Sequence, residues 1–249
     1  MEHTLFLLGA GLLAGILNAV GGGGSFVSFP ALIYAGVPSV AANATNTVAL
    51  FPGALASAYA FRHVFRRLEG VPTAQVVGLS LIGSVLGAVL LLTTPSSVFD
   101  RLVPWLLLLG ALTFAFGLPL GVRLRRVVRV GPVTLLAAQF ALGVYAGYFG
   151  GAVGIMMMAV WSLFGMTDIR ALTALRTLLI GMTNAVAVLC FVAAGVIRWP
   201  PALVMLVAAL AGGVIGAHIT LRIPPRYLRA IILVLIFANT FGLFWRTYG

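Results

Sequence analysis

Two glycine-rich runs and one arginine stand inside stretches of the sequence that are otherwise apolar. The first run is Gly21–Gly24, the second begins at Gly150, and the arginine is Arg176. A helix that restarts after a glycine break presents unpaired N–H groups and the positive end of its dipole. Arginine adds a permanent charge with bidentate geometry. Together these groups predict a binding site for a small oxyanion.

The candidate site combines these glycines and the arginine with neutral Asn, Ser and Thr side chains that supply further hydrogen bonds. Its members in the first half of the chain are Asn18, Gly22, Gly23, Gly24, Ser25, Asn43, Thr45, Asn46 and Thr47. Its members in the second half are Gly150, Gly151, Gly154, Thr173, Arg176, Thr177 and Asn184. Three alternatives stay open: the glycine breaks are kinks, Arg176 extends to the membrane interface, or Asn and Thr bond neighbouring helices.

The composition places these residues in a membrane. Of the 249 residues 62% are hydrophobic and 8% are charged, and the mean hydropathy is +1.16. This profile predicts an all-α integral membrane protein. A net charge of +11 would suggest nucleic acid in a soluble protein, but most of the arginines end apolar runs, so no nucleic-acid partner is expected. The sequence contains no catalytic dyad, metal cluster or nucleotide motif, so neither an enzyme nor a metal or cofactor is predicted.

Ten apolar segments position the candidate residues. They are Thr4–Val20, Ser25–Val37, Asn43–Phe61, Thr73–Thr94, Leu102–Gly121, Pro132–Phe149, Gly154–Gly165, Ala171–Val196, Ala202–Leu221 and Tyr227–Trp245. The second and seventh are shorter than the roughly 20 residues that a helix needs to cross the hydrocarbon core. Broken helix pairs of this kind indicate the binding site of a secondary transporter.

The two halves of the chain are related by a gap-free offset of 129 residues, which aligns Gly21 with Gly150 and Pro72 with Pro201. Each half then has an odd number of crossings, so the second is inverted relative to the first. We predict one transmembrane domain over residues 1–249, with eight to ten membrane segments and a broken or re-entrant pair in each half. Repeat 1 covers about 4–121, a cytoplasmic linker about 122–131 and repeat 2 about 132–247.

Further glycines recur four residues apart, a spacing that predicts close contact between helix backbones. The pairs are Gly11/Gly15, Gly83/Gly87, Gly117/Gly121, Gly143/Gly147 and Gly212/Gly216.

The arginines predict the orientation in the membrane. When the sides of the membrane are assigned by counting successive crossings, eleven arginines fall on one side. Three fall on the other side, namely Arg101, Arg198 and Arg246. By the positive-inside rule the arginine-rich side is cytoplasmic and both termini lie outside. None of the four acidic residues falls inside a span, so coupling through a buried carboxylate is not expected. The membrane potential, about 2.3 kcal/mol per charge per 100 mV, is sufficient to drive export of an anion.

Two groups of motifs resemble a known family. Gly-Ile-Leu-Asn-Ala-Val-Gly-Gly-Gly-Gly-Ser at 15–25, then Pro30 and Ala-Asn-Ala-Thr-Asn-Thr at 42–47, resemble the first repeat of the TauE/SafE sulfite exporter family. Gly-Tyr-Phe-Gly-Gly-Ala-Val-Gly at 147–154, then Ala-Leu-Arg-Thr-Leu-Leu at 174–179 and Asn184, resemble the second. Where that repeat usually carries Asn and Lys, this sequence has Leu172 and Arg176, which keeps the positive charge.

The resemblance implies a secondary transporter in the bacterial inner membrane. It implies export of sulfite, sulfoacetate or a related sulfonate by alternating access. An anion channel and a non-transporting membrane scaffold stay open as alternatives. The expected partners are a small anionic substrate and the lipid bilayer, and a homo-oligomer is compatible with the sequence.

Overall fold

Ten α-helices, one for each predicted apolar segment, make up the part of the chain that the computed structural model describes, residues 2–21, 23–60, 63, 71–124, 131–164, 168–222 and 225–249. No strand occurs in these ranges. The helices are α1 (Glu2–Gly21), α2 (Ser25–Tyr34), α3 (Ser39–Ala60), α4 (Thr73–Thr93), α5 (Ser96–Leu124), α6 (Pro132–Tyr148), α7 (Val153–Leu163), α8 (Ile169–Ala193), α9 (Trp199–Arg222) and α10 (Pro225–Tyr248).

Four helices in the described ranges are long and apolar enough to cross a membrane, judged by length and composition. They are Thr73–Thr93, Ser96–Gly117, Ala171–Ala193 and Trp199–Gly216. α1, α2, α6 and α7 contribute shorter apolar stretches. Large apolar side chains, among them Val133, Val214 and Phe241, are exposed on the surface of the bundle. Such a surface suits contact with lipid rather than water, as expected for a multi-pass helical membrane protein.

The short helix α2 ends earlier than the sequence predicted, at Tyr34 rather than Val37. Gly36 adopts a left-handed φ of 83°, and the N–H of Val37 donates to the carbonyl of Leu32 at 3.0 Å. This is a common way for a helix to stop at a glycine. α2 therefore has only 10 residues, about 15 Å at 1.5 Å per residue, which is too short to cross the membrane alone.

The helix α5 is longer than predicted at both ends. It begins at Ser96 rather than Leu102, because the carbonyl of Pro95 accepts the N–H of Phe99 at 3.0 Å and starts the first turn there. It continues to Leu124, three residues into the segment predicted as a linker. The linker residues 125–130 lie outside the described part of the chain.

The helices pack along one another in pairs, and the closest pairs are α1 with α9 and α4 with α6. A Cβ on Gly15 would lie 2.0 Å from the carbonyl oxygen of Ala209, and one on Gly87 would lie 2.0 Å from that of Val144. No side chain fits at such a contact. The packing role predicted for these glycines is therefore confirmed.

The two short helices α2 and α7 lie in the core of the bundle. Phe26, Phe29 and Leu32 of α2 and Trp161 of α7 are completely buried. The ring of Phe29 makes a T-shaped contact with that of Phe99 in α5, with 6.4 Å between the ring centroids. Protein therefore surrounds the backbone at the glycine breaks, as irregular backbone at membrane depth requires.

Candidate functional site

The first glycine break separates α1 from α2, and Gly22 within it lies outside the described residues. The N–H of Gly24 donates to Oδ1 of Asn18 at 3.1 Å. A Cβ on Gly24 would lie 2.5 Å from the carbonyl oxygen of Ala14, so a larger residue would push the two helices apart. Gly24 is the N-cap of α2 and has no side chain to cap it. The N–H groups of Phe26, Val27 and Ser28 donate to the carbonyls of Gly23 and Gly24, so the start of α2 is capped by backbone rather than by a side chain.

The second glycine break separates α6 from α7 and contains two left-handed residues. Gly150 has a φ of 74°, and its N–H donates to the carbonyl of Tyr145 at 3.0 Å, which ends α6. Ala152, the N-cap of α7, has a φ of 60°, and its methyl group cannot cap the helix. A non-glycine residue in this region costs on the order of 1–2 kcal/mol, and such strain clusters at functional sites.

A polar face of α3 contacts both breaks. Nδ2 of Asn46 donates to Oγ of Ser25 at 3.3 Å, and the amide of Asn46 also bonds the hydroxyl of Ser28. One turn earlier, Nδ2 of Asn43 donates to the carbonyl of Tyr148, the last residue of α6, at 3.0 Å. α3 therefore holds the first break through Asn46 and the second through Asn43.

The starts of α2 and α7 both reach Gly110 of α5, and α2 does so through the end of the Phe26 ring. A Cβ on Gly110 would lie 2.7 Å from the ring of Phe26, in the first turn of α2, and 3.2 Å from Cβ of Ala152. Phe149 in the second break also contacts Phe29 of α2, with 5.6 Å between the ring centroids. The positive dipole ends of both short helices therefore lie in one region of the bundle.

Arg176 of α8 packs beside the start of α7. Its Cδ lies 2.8 Å from the position that a Cβ on Gly154 would occupy, so the glycine leaves room for the arginine. Nη1 of Arg176 lies 3.5 Å from Sδ of Met158, a weak acceptor. Nε is buried and has no hydrogen-bond partner among the described residues. This guanidinium can therefore accommodate an oxyanion that accepts two hydrogen bonds.

Three further predicted residues lie at or next to the breaks. Gly23 accepts the N–H of Phe26 at 3.1 Å, and the hydroxyl of Thr47 donates to the carbonyl of Asn43 at 2.9 Å. Gly151 is buried beside the ring of Phe149, which a Cβ would approach to 2.7 Å. These residues shape the breaks through their backbones or through local hydrogen bonds.

The recorded side-chain hydrogen bonds of Thr45 and Thr177 lead away from both breaks. Oγ1 of Thr45 accepts the N–H of Arg198 at 3.0 Å, beyond the end of α8. The hydroxyl of Thr177 donates to the carbonyl of Thr173 at 3.0 Å, within α8 itself. Thr173 and Asn184 are partly buried on α8. Their role in binding stays a prediction.

Sequence reasoning missed four residues that build this site, namely Ser28, Gly110, Tyr148 and Met158. Ser28 has a recognisable signal, because it is a polar residue inside a short apolar helix one turn after Ser25. Tyr148 contributes only its backbone carbonyl, and Met158 is one of three consecutive methionines. Nothing in the local sequence distinguishes either of them.

Broken helices inside a helical bundle are typical of membrane transporters. The family model of the sulfite exporter TauE/SafE matches residues 7–242. The chain therefore belongs to this family, as the motifs of the two repeats predicted, and the family is one of membrane transporters rather than enzymes.

Curated relatives cover almost the whole chain. A probable membrane transporter protein, YfcA of Escherichia coli K12, is 27% identical over 240 residues, which are 96% of this chain and 88% of the relative. A probable membrane transporter protein of Haemophilus influenzae is 29% identical over 247 residues, 96% of this chain and 94% of the relative. A probable membrane transporter protein of a Sinorhizobium species, ORF9, is 29% identical over 241 residues, which are 95% of this chain and 90% of the relative. No solved structure matches the chain significantly.

Proposed function

We propose that this protein is a secondary transporter that exports a small sulfur-containing anion, such as sulfite, sulfoacetate or a related sulfonate, by alternating access. One observation carries the proposal: residues at the starts of α2 and α7 both contact Gly110, and the guanidinium of Arg176, whose Nε has no described partner, lies beside the start of α7. N–H groups, dipole ends and a guanidinium all favour negative charge and oxygen acceptors. The description of this family as sulfite exporters supplies the sulfur chemistry.

The halves of the proposed transmembrane domain, residues 4–121 and 132–247, form an inverted repeat. A twofold axis between them would exchange α1–α5 with α6–α10, so the main helix contacts would have counterparts. The helix packing supports this, because α1 with α9 corresponds to α6 with α4, and α3 with α9 corresponds to α8 with α4. α1 with α2 likewise corresponds to α6 with α7, and α2 with α3 to α7 with α8. α3 and α8, which pack on each other, would flank the axis.

The transport step follows from this arrangement. The anion binds between the halves, where it replaces water with N–H groups and the guanidinium of Arg176. Movement of the helices about the two glycine breaks then opens the site to one side of the membrane as it closes to the other. Because the starts of α2 and α7 come from different halves, the movement changes how the two donor groups face each other, which lets the anion leave.

The purified protein should be stabilised against heat by its own substrate, which binds only the folded state and adds RT ln(1 + [L]/Kd). A suitable panel is sulfite, sulfate, thiosulfate, sulfoacetate, taurine, acetate and chloride. We expect a selective rise in melting temperature with a sulfur oxyanion or sulfonate. A rise in melting temperature with carboxylates alone would contradict a sulfur-containing substrate. It would still agree with a transporter of anions.

Flux measurements in liposomes separate the proposed mechanism from its alternatives. A transporter gives flux that saturates with substrate and shows counterflow. Single-channel current steps in a planar bilayer would identify an anion channel instead. Absence of flux together with a stable partner in pulldown would identify a scaffold.

The proposed orientation places both termini outside, in the periplasm of a bacterial inner membrane. In the described structure Arg101, Arg246 and the end of α2 lie together at one end of the bundle. The hydroxyl of Tyr248 donates to the carbonyl of Arg101 at 2.8 Å, and the guanidinium of Arg246 lies 5.8 Å from the ring centre of Tyr34. This agrees with the sequence, which puts these two arginines on the arginine-poor side.

Cysteine accessibility tests the orientation. In a Cys190→Ala background, Ser96→Cys should react with a membrane-impermeant maleimide added outside the cells, since it starts α5 at the outer end. Arg123→Cys, near the other end of α5, should react only after permeabilisation. The reverse pattern of labelling would contradict the predicted topology.

A further inference from the structure

The carboxamide of Asn43 is a buried hydrogen-bond acceptor that has no donor. Its Nδ2 donates to the carbonyl of Tyr148 at 3.0 Å. A backbone carbonyl can only accept, so this bond fixes which end of the amide carries the oxygen. Oδ1 is therefore turned away from Tyr148, and it is buried with no partner in the described structure. Only 1% of the side chain is exposed.

This acceptor lies among groups that favour negative charge. They are the positive dipole ends of α2 and α7, of which α7 has the N-cap Ala152 with no side-chain cap, and the guanidinium of Arg176. An anion that carries only acceptors would satisfy these groups and leave Oδ1 of Asn43 unpaired and repelled. A ligand that also carries an O–H or N–H group would satisfy both kinds of group.

Asn43 and Arg176 lie on either side of the same break. Asn43 bonds the carbonyl of Tyr148, immediately before the break, and Arg176 packs at Gly154, immediately after it. At the offset of 129 residues the counterpart of Asn43 is Leu172, which is apolar and buried. The acceptor therefore occurs in one half only, so the site can orient a ligand whose two ends differ.

We infer that the substrate is a sulfonate that bears a hydroxyl or ammonium group, and that Oδ1 of Asn43 is the specificity-determining acceptor for this group. The sulfonate faces Arg176 and the helix starts, and the donor at the other end faces Asn43. This inference rests on the proposed function and narrows it, because sulfoacetate carries no such donor.

The test compares two sulfonates that differ by one hydroxyl group, isethionate and ethanesulfonate, in binding to the full-length purified protein. Affinities come from thermal stabilisation at a series of ligand concentrations. We expect isethionate to bind roughly three- to tenfold more tightly, the range for one net hydrogen bond. In Asn43→Leu this preference should fall to about one, through weaker binding of isethionate while binding of ethanesulfonate is retained.

Asn43→Leu also loses the hydrogen bond to Tyr148, and a matched variant controls for this. Ser84→Ala removes a comparable bond between helices, from Oγ of Ser84 to the carbonyl of Thr183 at 2.8 Å. It should lower the melting temperature and keep the preference for isethionate. If Asn43→Leu does not fold, Asn43→Ala replaces it in the same comparison, and the wild-type protein alone decides the class of substrate.

Each outcome bears on one claim or on both. Equal affinities for the two sulfonates in the wild-type protein, or binding of sulfite with no binding of isethionate, would overturn the inference and leave the proposed function standing. A preference that survives in Asn43→Leu would overturn the assignment to Asn43. Absence of stabilisation by any sulfur anion would overturn the proposed function and the inference together.

Discussion

At the scale of single residues, the contacts of Arg176 distinguish it from an arginine in a structural ion pair. The described contact of its guanidinium is with a thioether, which accepts weakly and carries no charge to offset the arginine. A charge buried without a counter-charge is costly, and the protein tolerates it at positions that serve a function. A bound anion would supply both the counter-charge and the strong acceptors.

The substitution Arg176→Ala should abolish anion binding and leave the protein folded, because it removes the charge without breaking a strong hydrogen bond of the described structure. Arg176→Lys should bind more weakly than wild type, since lysine keeps the charge but loses the bidentate geometry. The measurement is thermal stabilisation by the most effective anion of the panel.

Arg198→Ala is the matched control for this substitution. Arg198 is exposed and uses its backbone N–H and carbonyl for the hydrogen bonds that the described structure records. This variant should therefore bind the anion like wild type. Unchanged affinity in Arg176→Ala would contradict a binding role and favour an arginine that extends to the interface.

At the scale of helices, the pairs α1 with α9 and α4 with α6 form the closest backbone contacts of the bundle. The short helices α2 and α7 lie within the core and carry the candidate site. Close glycine contacts do not depend on flexible side chains, and interiors packed at this density transmit strain. We expect each of these pairs to move as a unit during transport.

Adjacent glycines in α9 test the importance of these contacts. A Cβ on Gly212 would lie 2.0 Å from the carbonyl oxygen of Leu12, whereas one on Gly213 would meet nothing within 4 Å. Gly212→Ala should therefore destabilise the fold by about 1–3 kcal/mol through a forced backbone shift. Gly213→Ala should be neutral or stabilise by up to about 1 kcal/mol, since alanine favours a helix.

Thermal unfolding in detergent measures both variants side by side. If Gly212→Ala and Gly213→Ala change the melting temperature equally, the packing of α1 on α9 does not depend on the backbone contact at Gly212.

The positions of the helices could be predicted from sequence because apolar runs and glycine breaks are local signals. Errors arose where a helix extends into polar residues. Ser96, Asp100 and Arg101 look like a loop, but Pro95 starts α5 before them. Likewise α3 begins at Ser39, four residues before the predicted start.

The partners of the site residues could not be predicted in the same way. Asn43 was selected as a polar residue in an apolar setting, but its partner lies 105 residues away in sequence. The contact of Arg176 with Met158 depends on how α7 packs against α8. Periodicity and composition contain no information on such pairs, because they follow from the packing of whole helices.

At the scale of the whole molecule, the distribution of charge determines what can drive transport. The acidic residues that the structure describes lie at helix ends: Glu2 begins α1, Asp100 lies in the first turns of α5, and Asp168 precedes α8. The described part of the chain therefore offers no carboxylate at the site to bind a proton or sodium ion. If the anion moves alone, each transport cycle carries its charge across the membrane.

An imposed potential should then drive net export from vesicles that contain the purified protein. For a monovalent anion, 100 mV corresponds to about 2.3 kcal/mol, or a concentration ratio of about fiftyfold at equilibrium. The measurement clamps the potential with a potassium gradient and valinomycin and follows release of the labelled anion, with vesicles of Arg176→Ala as the control for leakage.

Release that does not respond to the potential would contradict this mechanism, because the charge of the anion must then be balanced by a co-transported cation or an exchanged anion. Since no carboxylate of the described helices is placed to bind a cation, the second of these would be the explanation to test next.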